Sequence, residues 1–187
     1  MVLIVIDVLD ASGKNTQARK LCRFLKRHQK TVSLRFHPSD DNFFGAKTKH
    51  FLYMQGINAH FAAALFYMLD VMRSILLYSW RRYDYLIFVR YLMGTAYLPS
   101  PLHRIAYHFF ARIVPTSDHM FFLDVQPEEA YRRIRQTRHR QERFENIEEL
   151  RRVRSRALAL ALEGRWLIVN ANKSESVVGK KLEKLCS

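Results

Sequence analysis

The residues best suited to chemistry follow directly after the apolar N-terminal run. Residues 8–16 read Val-Leu-Asp-Ala-Ser-Gly-Lys-Asn-Thr, between a strand-like run and a helix-like segment. A glycine-lysine pair at a helix start offers backbone N–H groups and an ammonium to a phosphate. Val8 replaces the first glycine of the usual pattern, and Asn15 stands where a serine or threonine hydroxyl normally meets magnesium. The loop alone fits two interpretations: a phosphate-binding loop, or the start of an ordinary helix.

A second group of candidates is rich in arginine. Residues 132–156 contain ten arginines and no lysine. Arginine binds phosphate through two parallel hydrogen bonds and keeps its charge at any ordinary pH. Three of them fall in or beside the gap between two helix-like segments, and we expect one or two of these to reach phosphates: Arg138, Arg140 and Arg143. The others read as exposed helix surface: Arg132, Arg133, Arg135, Arg151, Arg152, Arg154 and Arg156.

The charge balance favours an anionic partner. The 187 residues carry a formal net charge of +14, which attracts nucleotides and nucleic acids alike. No stacking or groove-reading motif is recognisable, so a nucleic-acid-binding role is the less favoured interpretation. The histidines have no metal-ligand spacing, and the two cysteines suggest ordinary thiols in a reducing cytoplasm.

The N-terminus does not read as a signal peptide, and the long apolar stretch at 59–80 reads as a core helix. Asp70 and Arg73 interrupt that stretch, which argues against a membrane span. We therefore expect a cytoplasmic protein.

The elements that would position these residues alternate between strand and helix. Short, mostly apolar runs predict five parallel strands, at Val2–Asp7, Thr31–Phe36, Tyr85–Arg90, His119–Val125 and Trp166–Ala171. The intervening segments predict helices, at Lys14–Gln29, Asn58–Arg82, Leu102–Val114, Pro127–Arg138, Ile147–Gly164 and Ser174–Cys186. The pattern predicts one α/β domain over residues 1–187, a three-layer sandwich with a five-stranded parallel sheet. Ligands of such sheets bind beyond the carboxyl ends of the strands, here at residues 8–14, 37–45, 90–101 and 170–174.

Six short blocks in a fixed order extend this interpretation. They are residues 7–17, 35–38, 65–67, 89–91, 123–130 and 142–145. Their order resembles the thymidylate kinases, whose phosphate loop, Arg-Glu-Pro loop, Leu-Phe helix, Asp-Arg-Tyr strand end, Leu-Asp-Val-x-Pro-Glu-x-Ala segment and Asp-Arg-Phe-Glu segment match in turn. The resemblance implies a P-loop kinase fold with a small lid at about residues 136–146. It implies a homodimeric enzyme that transfers the γ-phosphate of ATP to dTMP, with Mg²⁺, for dTTP synthesis.

The resemblance also implies residue roles. Catalysis would rest on Asp10, Lys14, Arg90 and Arg143. ATP would be bound by Ala11, Ser12, Gly13, Lys14, Asn15, Thr16, Arg138, Arg140 and Asn172, with Asn15 as a weak magnesium ligand. The acceptor would meet Asp10, Arg35, Phe66, Arg73 and Tyr97, where Phe66 stacks on the base, Tyr97 lies near the sugar, and both arginines serve the phosphate.

A degenerate relative that binds nucleotides with little or no transfer is the alternative. Val8, Asn15 and Val89 replace residues that the family uses where phosphate and metal meet. Leu98 also replaces the glutamine expected after Tyr97, so the acceptor base stays open.

Overall fold

The structure, a computed structural model, describes residues 1–7, 12–54, 57–137 and 146–186. Its five strands are β1 (Val2–Asp7), β2 (Val32–Phe36), β3 (Tyr85–Val89), β4 (His119–Asp124) and β5 (Leu167–Asn170). Its helices within the described residues are α1 (Lys14–Arg27), α2 (Phe43–Leu52), α3 (Ile57–Ser79), α4 (Leu102–Ile113), α5 (Pro127–Thr137), α6 (Ile147–Glu163) and α7 (Glu175–Cys186). A short 3₁₀ helix, Met93–Tyr97, follows β3.

All five strands are parallel and lie in the order β2-β3-β1-β4-β5. The central strands are buried because they are apolar on both faces, as Val5, Phe88 and Phe122 show with no exposed surface. Helices α1 and α7 pack together, α1 also packs on β2 and β3, and α6 packs on β4. The predicted α/β sandwich with a five-stranded parallel sheet is confirmed.

Helix α2 is the element that the sequence interpretation did not predict. Residues 37–45 read as a loop, but Asn42 caps a helix there, its side-chain oxygen accepting from the Gly45 N–H at 3.1 Å. The apolar residues of Phe43–Leu52 form no clear stripe, so periodicity gave no signal. The Asn42 cap was the signal available.

Helix α3 is long and apolar. Within the described residues, Phe61–Ser79 meets the length and composition of a membrane span, a test that core helices of soluble proteins also pass. By itself, this stretch does not indicate a membrane protein.

Candidate functional site

The start of α1 offers an anion-binding geometry. Gly13 has the left-handed φ of 84°, which lets the chain turn directly into the helix. No side chain caps this end, and its first turn carries no acidic residue. Lys14 is buried, and the buried Ser12 Oγ has no hydrogen-bond partner within the described residues. Exposed N–H groups, a buried ammonium and an unsatisfied hydroxyl together suit a phosphate.

The end of β1 organises the segment after β3. The buried Asp7 accepts, through one carboxylate oxygen, the N–H groups of Tyr91 at 2.6 Å and Met93 at 3.0 Å. Arg90 precedes them with a left-handed φ of 63° and donates its N–H to Ile6 O at 3.1 Å. A non-glycine residue in that region marks a conformation held by its surroundings. Asp7 thus fixes the turn from which the Arg90 side chain extends.

A cleft of about 410 Å³ joins these two regions. It begins beside Asn15 and Arg19 on α1, passes Arg90, and reaches Tyr97 after the 3₁₀ helix. Its remaining lining comes from the β2–α2 segment, α2, the residues after α2, α3 and the end of the 3₁₀ helix: Phe36, His37, Pro38, Asp40, Thr48, Lys49, Phe51, Leu52, Tyr53, Met54, Ala63, Ala64, Tyr67, Met68, Gly94, Thr95 and Leu98. It has the size and mixed polarity of a small-molecule site.

His37 is a buried part of this wall. Its Nδ1 lies 3.1 Å from Arg90 O, and its Nε2 lies 2.9 Å from Ser74 Oγ. A carbonyl can only accept, so Nδ1 carries the hydrogen and Nε2 accepts from the serine hydroxyl. Burial lowers the pKa of His37 to about 4, which keeps the ring neutral near pH 7. His37 therefore couples the β2 loop to the Arg90 turn as a neutral hydrogen-bonding group.

Arg35 is engaged away from the cleft. It precedes Phe36 in β2, and successive strand residues point to opposite faces. Its two terminal nitrogens each lie 2.8 Å from a carboxylate oxygen of Asp41, and its guanidinium lies 4.9 Å from the centre of the Tyr78 ring. The hydrogen bonds raise the pKa of Arg35 and hold that of Asp41 well below its usual range. Arg73 lies 4.0 Å from the same carboxylate.

Asp70 ties the β2 loop to α3. It has no exposed surface and accepts from the Ser39 N–H at 2.6 Å and the Asn42 side-chain amide at 2.7 Å. Gly45 lets the loop lie against α2, because a Cβ there would stand 2.0 Å from Ser39 O. Residues 39–42 are thereby fixed by groups from the chain itself.

Phe66 is the residue predicted to stack on the acceptor base, but the aromatic residues that line the cleft beside it are Phe51 and Tyr67. Phe66 is not among the described residues that line the cleft; it stacks on Phe51, at 5.6 Å between ring centres, and Phe51 lines the cleft. Tyr67 also lines it and lies close to Gly94, where a Cβ would come within 2.9 Å of the tyrosine ring. The role of Phe66 in stacking on the acceptor base stays a prediction.

Other predicted residues are distributed as follows. Lys14, Asn15 and Thr16 lie in the first turn of α1, and Arg90 and Tyr97 lie across the cleft. Arg35 and Arg73 are not among the described lining residues: Arg35 makes two hydrogen bonds to Asp41, and Arg73 lies 4.0 Å from the same carboxylate. Asn172 follows β5 and accepts from the Gln126 N–H at 2.9 Å, joining two loops at the same sheet edge. Outside the described residues lie Asp10, Ala11, Arg138, Arg140 and Arg143, together with most of the predicted lid.

The arginines predicted as helix surface are mostly paired. Glu129 meets Arg132 and Arg133, both at 2.7 Å, which lowers its pKa to about 2. Arg154 makes two 2.7 Å hydrogen bonds to Asp124. The remaining contacts are Arg151 with Glu128, Arg152 with Glu149, and Arg156 with Leu98 O. Some of these contacts lie within one helix, whereas Arg151 joins α6 to α5 and Arg154 joins α6 to the end of β4.

The sequence interpretation missed several functional candidates. Arg19, His37, Asp70 and Tyr67 carried no role, although the first three are polar and lie in or beside matched blocks. Spacing from Asn15 to Arg19, four residues along a helix, was a signal that both share one face.

The fold and the site define a class. A phosphate-suited helix start at the carboxyl edge of a parallel sheet is the architecture of a P-loop nucleotide-binding protein. The model of the thymidylate kinase family matches residues 6–182, and the chain belongs to that family.

Among solved structures, the thymidylate kinase from Candida albicans is similar to this chain. The sequences are 19% identical, the TM-score is 0.73, and the match covers 98% of this chain and 90% of that one. At this identity, the likeness shows the fold.

Proposed function

We propose that this protein transfers the γ-phosphoryl group of ATP to a nucleoside monophosphate, with dTMP as the first acceptor to test. The cleft carries this proposal, because it runs from the first turn of α1, past Arg90, to Tyr97. Phosphoryl transfer needs a donor phosphate and an acceptor phosphate held in line, with their charge neutralised. The cleft meets the first turn of α1 at Asn15, next to the buried Lys14, and Arg90 also lines it, so both phosphates would have a positive charge nearby.

The donor end fits the phosphates of ATP. The unsatisfied Ser12 hydroxyl, the Gly13 turn and the buried Lys14 would hold them, next to Thr16. Asn15 is exposed there and would give an amide oxygen to Mg²⁺, which supplies charge neutralisation when bound. Asn172 would lie by the nucleoside. The proposal also includes Asp10, Ala11 and the lid arginines Arg138, Arg140 and Arg143.

The acceptor end combines rings with few polar groups. Tyr97 would lie near the sugar and Arg90 near the transferring phosphate. Phe66 would act through Phe51, on which it stacks. Leu98 lines the same cleft and offers no side-chain hydrogen bond to a base edge. A wall of this kind supports acceptor selection by shape more than by base hydrogen bonds.

The alternative is a nucleotide-binding relative with little or no transfer. Val89 favours it, since its apolar side chain is completely buried at the end of β3, where the family has an aspartate. Among the described residues, no group of three or more acidic, histidine or cysteine side chains is arranged to hold a metal. Magnesium often keeps several waters and only one or two protein ligands, so a magnesium site does not require such a group.

A coupled ADP-release assay separates the two readings. ATP and Mg²⁺ would be supplied with dTMP, dUMP, dCMP, dGMP and dAMP in turn, because the Candida albicans enzyme is described as having broad substrate specificity. We expect dTMP turnover at least ten times the rate without acceptor, and its loss with EDTA. If no acceptor is phosphorylated while ATP still raises the melting temperature, the kinase proposal fails and the binding role stands.

We further propose that the protein is a homodimer. On α4, Ile105, Phe109 and Ile113 repeat every four residues, and each is about half exposed or more. On α3, Leu76 and the adjoining Trp80 are also largely exposed. Rows of exposed apolar side chains favour a protein partner. Analytical ultracentrifugation should show a dimer that Phe109→Lys converts to monomer, while the matched Arg112→Lys stays dimeric; a monomeric wild type would refute the dimer.

A further inference from the structure

Arg19 lies on the cleft face of α1. It is four residues after Asn15, and both line the cleft, as expected for helix residues one turn apart. It is five residues beyond Lys14, so it lies roughly 7.5 Å further along the helix axis. Arg19 is therefore separated from the donor-phosphate end by more than one helical turn.

The guanidinium of Arg19 is held in place by a ring. It lies 4.8 Å from the centre of the Phe36 ring, and Phe36 is the last residue of β2. Stacking on a ring face leaves the in-plane N–H groups free to donate. No carboxylate pairs with Arg19 within the part of the chain that the structure describes. Among the described residues, the Phe36 ring orients the guanidinium and no carboxylate neutralises it.

The other cations beside the cleft are in a different situation. Lys49 forms an ion pair with Asp40, and Arg35 makes two hydrogen bonds to Asp41. Arg73 lies 4.0 Å from the Asp41 carboxylate and does not line the cleft within the described residues. Arg90 donates to His37 O at 3.4 Å, so part of its hydrogen-bonding capacity is used by the backbone. Of the two arginines that line the cleft, Arg19 is thus the one whose described contacts include neither a carboxylate nor a backbone carbonyl.

We propose that Arg19, whose guanidinium lies over the Phe36 ring, binds the phosphate of the acceptor nucleoside monophosphate. This proposal rests on the proposed function and names a ligand of the same site. It replaces Arg35 in that role, since Asp41 holds that guanidinium on the opposite face of β2, and Arg73, which is not among the described residues that line the cleft. The phosphate would then lie between Arg19 on α1 and Arg90 after β3.

The test is calorimetric binding of dTMP and of thymidine to four forms of the full chain. These are the wild type, Arg19→Ala, Arg19→Lys and the control Arg23→Ala, which removes an exposed arginine one turn further along α1. Arg19→Ala should weaken dTMP binding about 10- to 100-fold, since a charge-assisted hydrogen bond to phosphate is lost, and should leave thymidine binding unchanged. Arg19→Lys should recover part of the loss. Arg23→Ala should match the wild type within about twofold.

Two results would overturn the proposal while the proposed function stands. In one, dTMP binds the wild type and Arg19→Ala behaves like Arg23→Ala. In the other, thymidine and dTMP lose affinity equally, which assigns Arg19 to the nucleoside or to the fold. A wild type that binds no monophosphate of the assay panel would refute the proposed function, and the Arg19 proposal with it.

Discussion

Two arginines meet the end of β2, one on each face, and their surroundings differ. Arg35 is bound by Asp41 through two hydrogen bonds and covered by Tyr78. Arg19 rests on Phe36 and meets no carboxylate within the described residues. The first arginine serves the loop at residues 37–42, and the second faces the cleft. The contrast teaches that a basic residue is available to a ligand only where the fold leaves its charge uncompensated.

This contrast divides the region into a loop side and a cleft side. On the loop side, His37, Asp70 and Asp41 are satisfied by the chain itself. On the cleft side, Ser12 lacks a partner and Arg19 lacks a carboxylate within the same described part of the chain. Substitutions on the loop side should change stability, and those on the cleft side should change binding and turnover.

The largest effect is expected on the cleft side. Lys14→Met should lower kcat with the best acceptor by roughly 10²- to 10³-fold, because a preorganised charge at the transferring phosphate is lost. Its midpoint of urea unfolding should remain close to that of the wild type. The coupled assay measures the rate, with Lys26→Met, an exposed position on the same helix, as the control. Retention of a third or more of the wild-type rate by Lys14→Met would remove Lys14 from the mechanism.

The next effect is expected on the loop side. Asp70→Ala should lower the free energy of unfolding by about 3 kcal/mol, since it leaves two buried donors, from Ser39 and Asn42, without their charged acceptor. Urea denaturation measures this change. Asp118→Ala, at an exposed position with no such contacts, should change the same quantity by less than about 0.5 kcal/mol. Equal effects of the two substitutions would contradict the assignment of Asp70.

The third effect depends on pH. His37 has a pKa of about 4 in the folded chain, below its unfolded value, so the unfolded chain binds the extra proton as pH falls through the window between them. The contribution of His37 to the free energy of unfolding is present above pH 6.5 and is lost as the pH falls toward 4. The His37 share of the loss between pH 7 and pH 5 should be about 2 kcal/mol. Unfolding of the wild type and of His37→Gln at both pH values isolates it; identical pH dependence would show that His37 is not the group responsible.

The smallest effect tests the contrast between Arg35 and Arg19 most directly. Arg35→Ala should cost about 1 kcal/mol of stability, because its ion pair with Asp41 is partly exposed, and should leave dTMP affinity within about twofold. Denaturation and calorimetry on the same protein give both numbers. A loss of dTMP affinity larger than that of Arg19→Ala would reverse the assignment of the two faces.

The sequence predicted the framework well because the framework is dictated by apolar runs. Val2–Asp7 and Tyr85–Val89 are buried on both faces, and such strands can be recognised without knowing their neighbours. The Gly-Lys turn was equally local. Helix α2 was not predicted, since its ten residues lack a clear apolar stripe and depend on packing against α3.

The site was less predictable because tertiary contacts decide which residues face the cleft. Asp41 and Arg35 are close in sequence, but their pairing decides the role of Arg35 only when the face of β2 is known. Phe66 and Tyr67 are adjacent, and a difference of one residue on a helix turns the side chain by about 100°. Which of them lines the cleft follows from the packing of α3.

The contact between Gly94 and Tyr67 has a practical consequence for chemical biology. The Tyr67 ring packs against Gly94, which has no side chain. The Tyr67 side chain alone therefore sets the width of the cleft at this point. Under the proposed function, exchanging Tyr67 for alanine would create a recess in the cleft wall that a monophosphate carrying a bulky substituent would fill. The Tyr67→Ala variant and the enlarged nucleotide would form an orthogonal protein–ligand pair. The variant would bind this nucleotide selectively in a mixture with ordinary nucleotides.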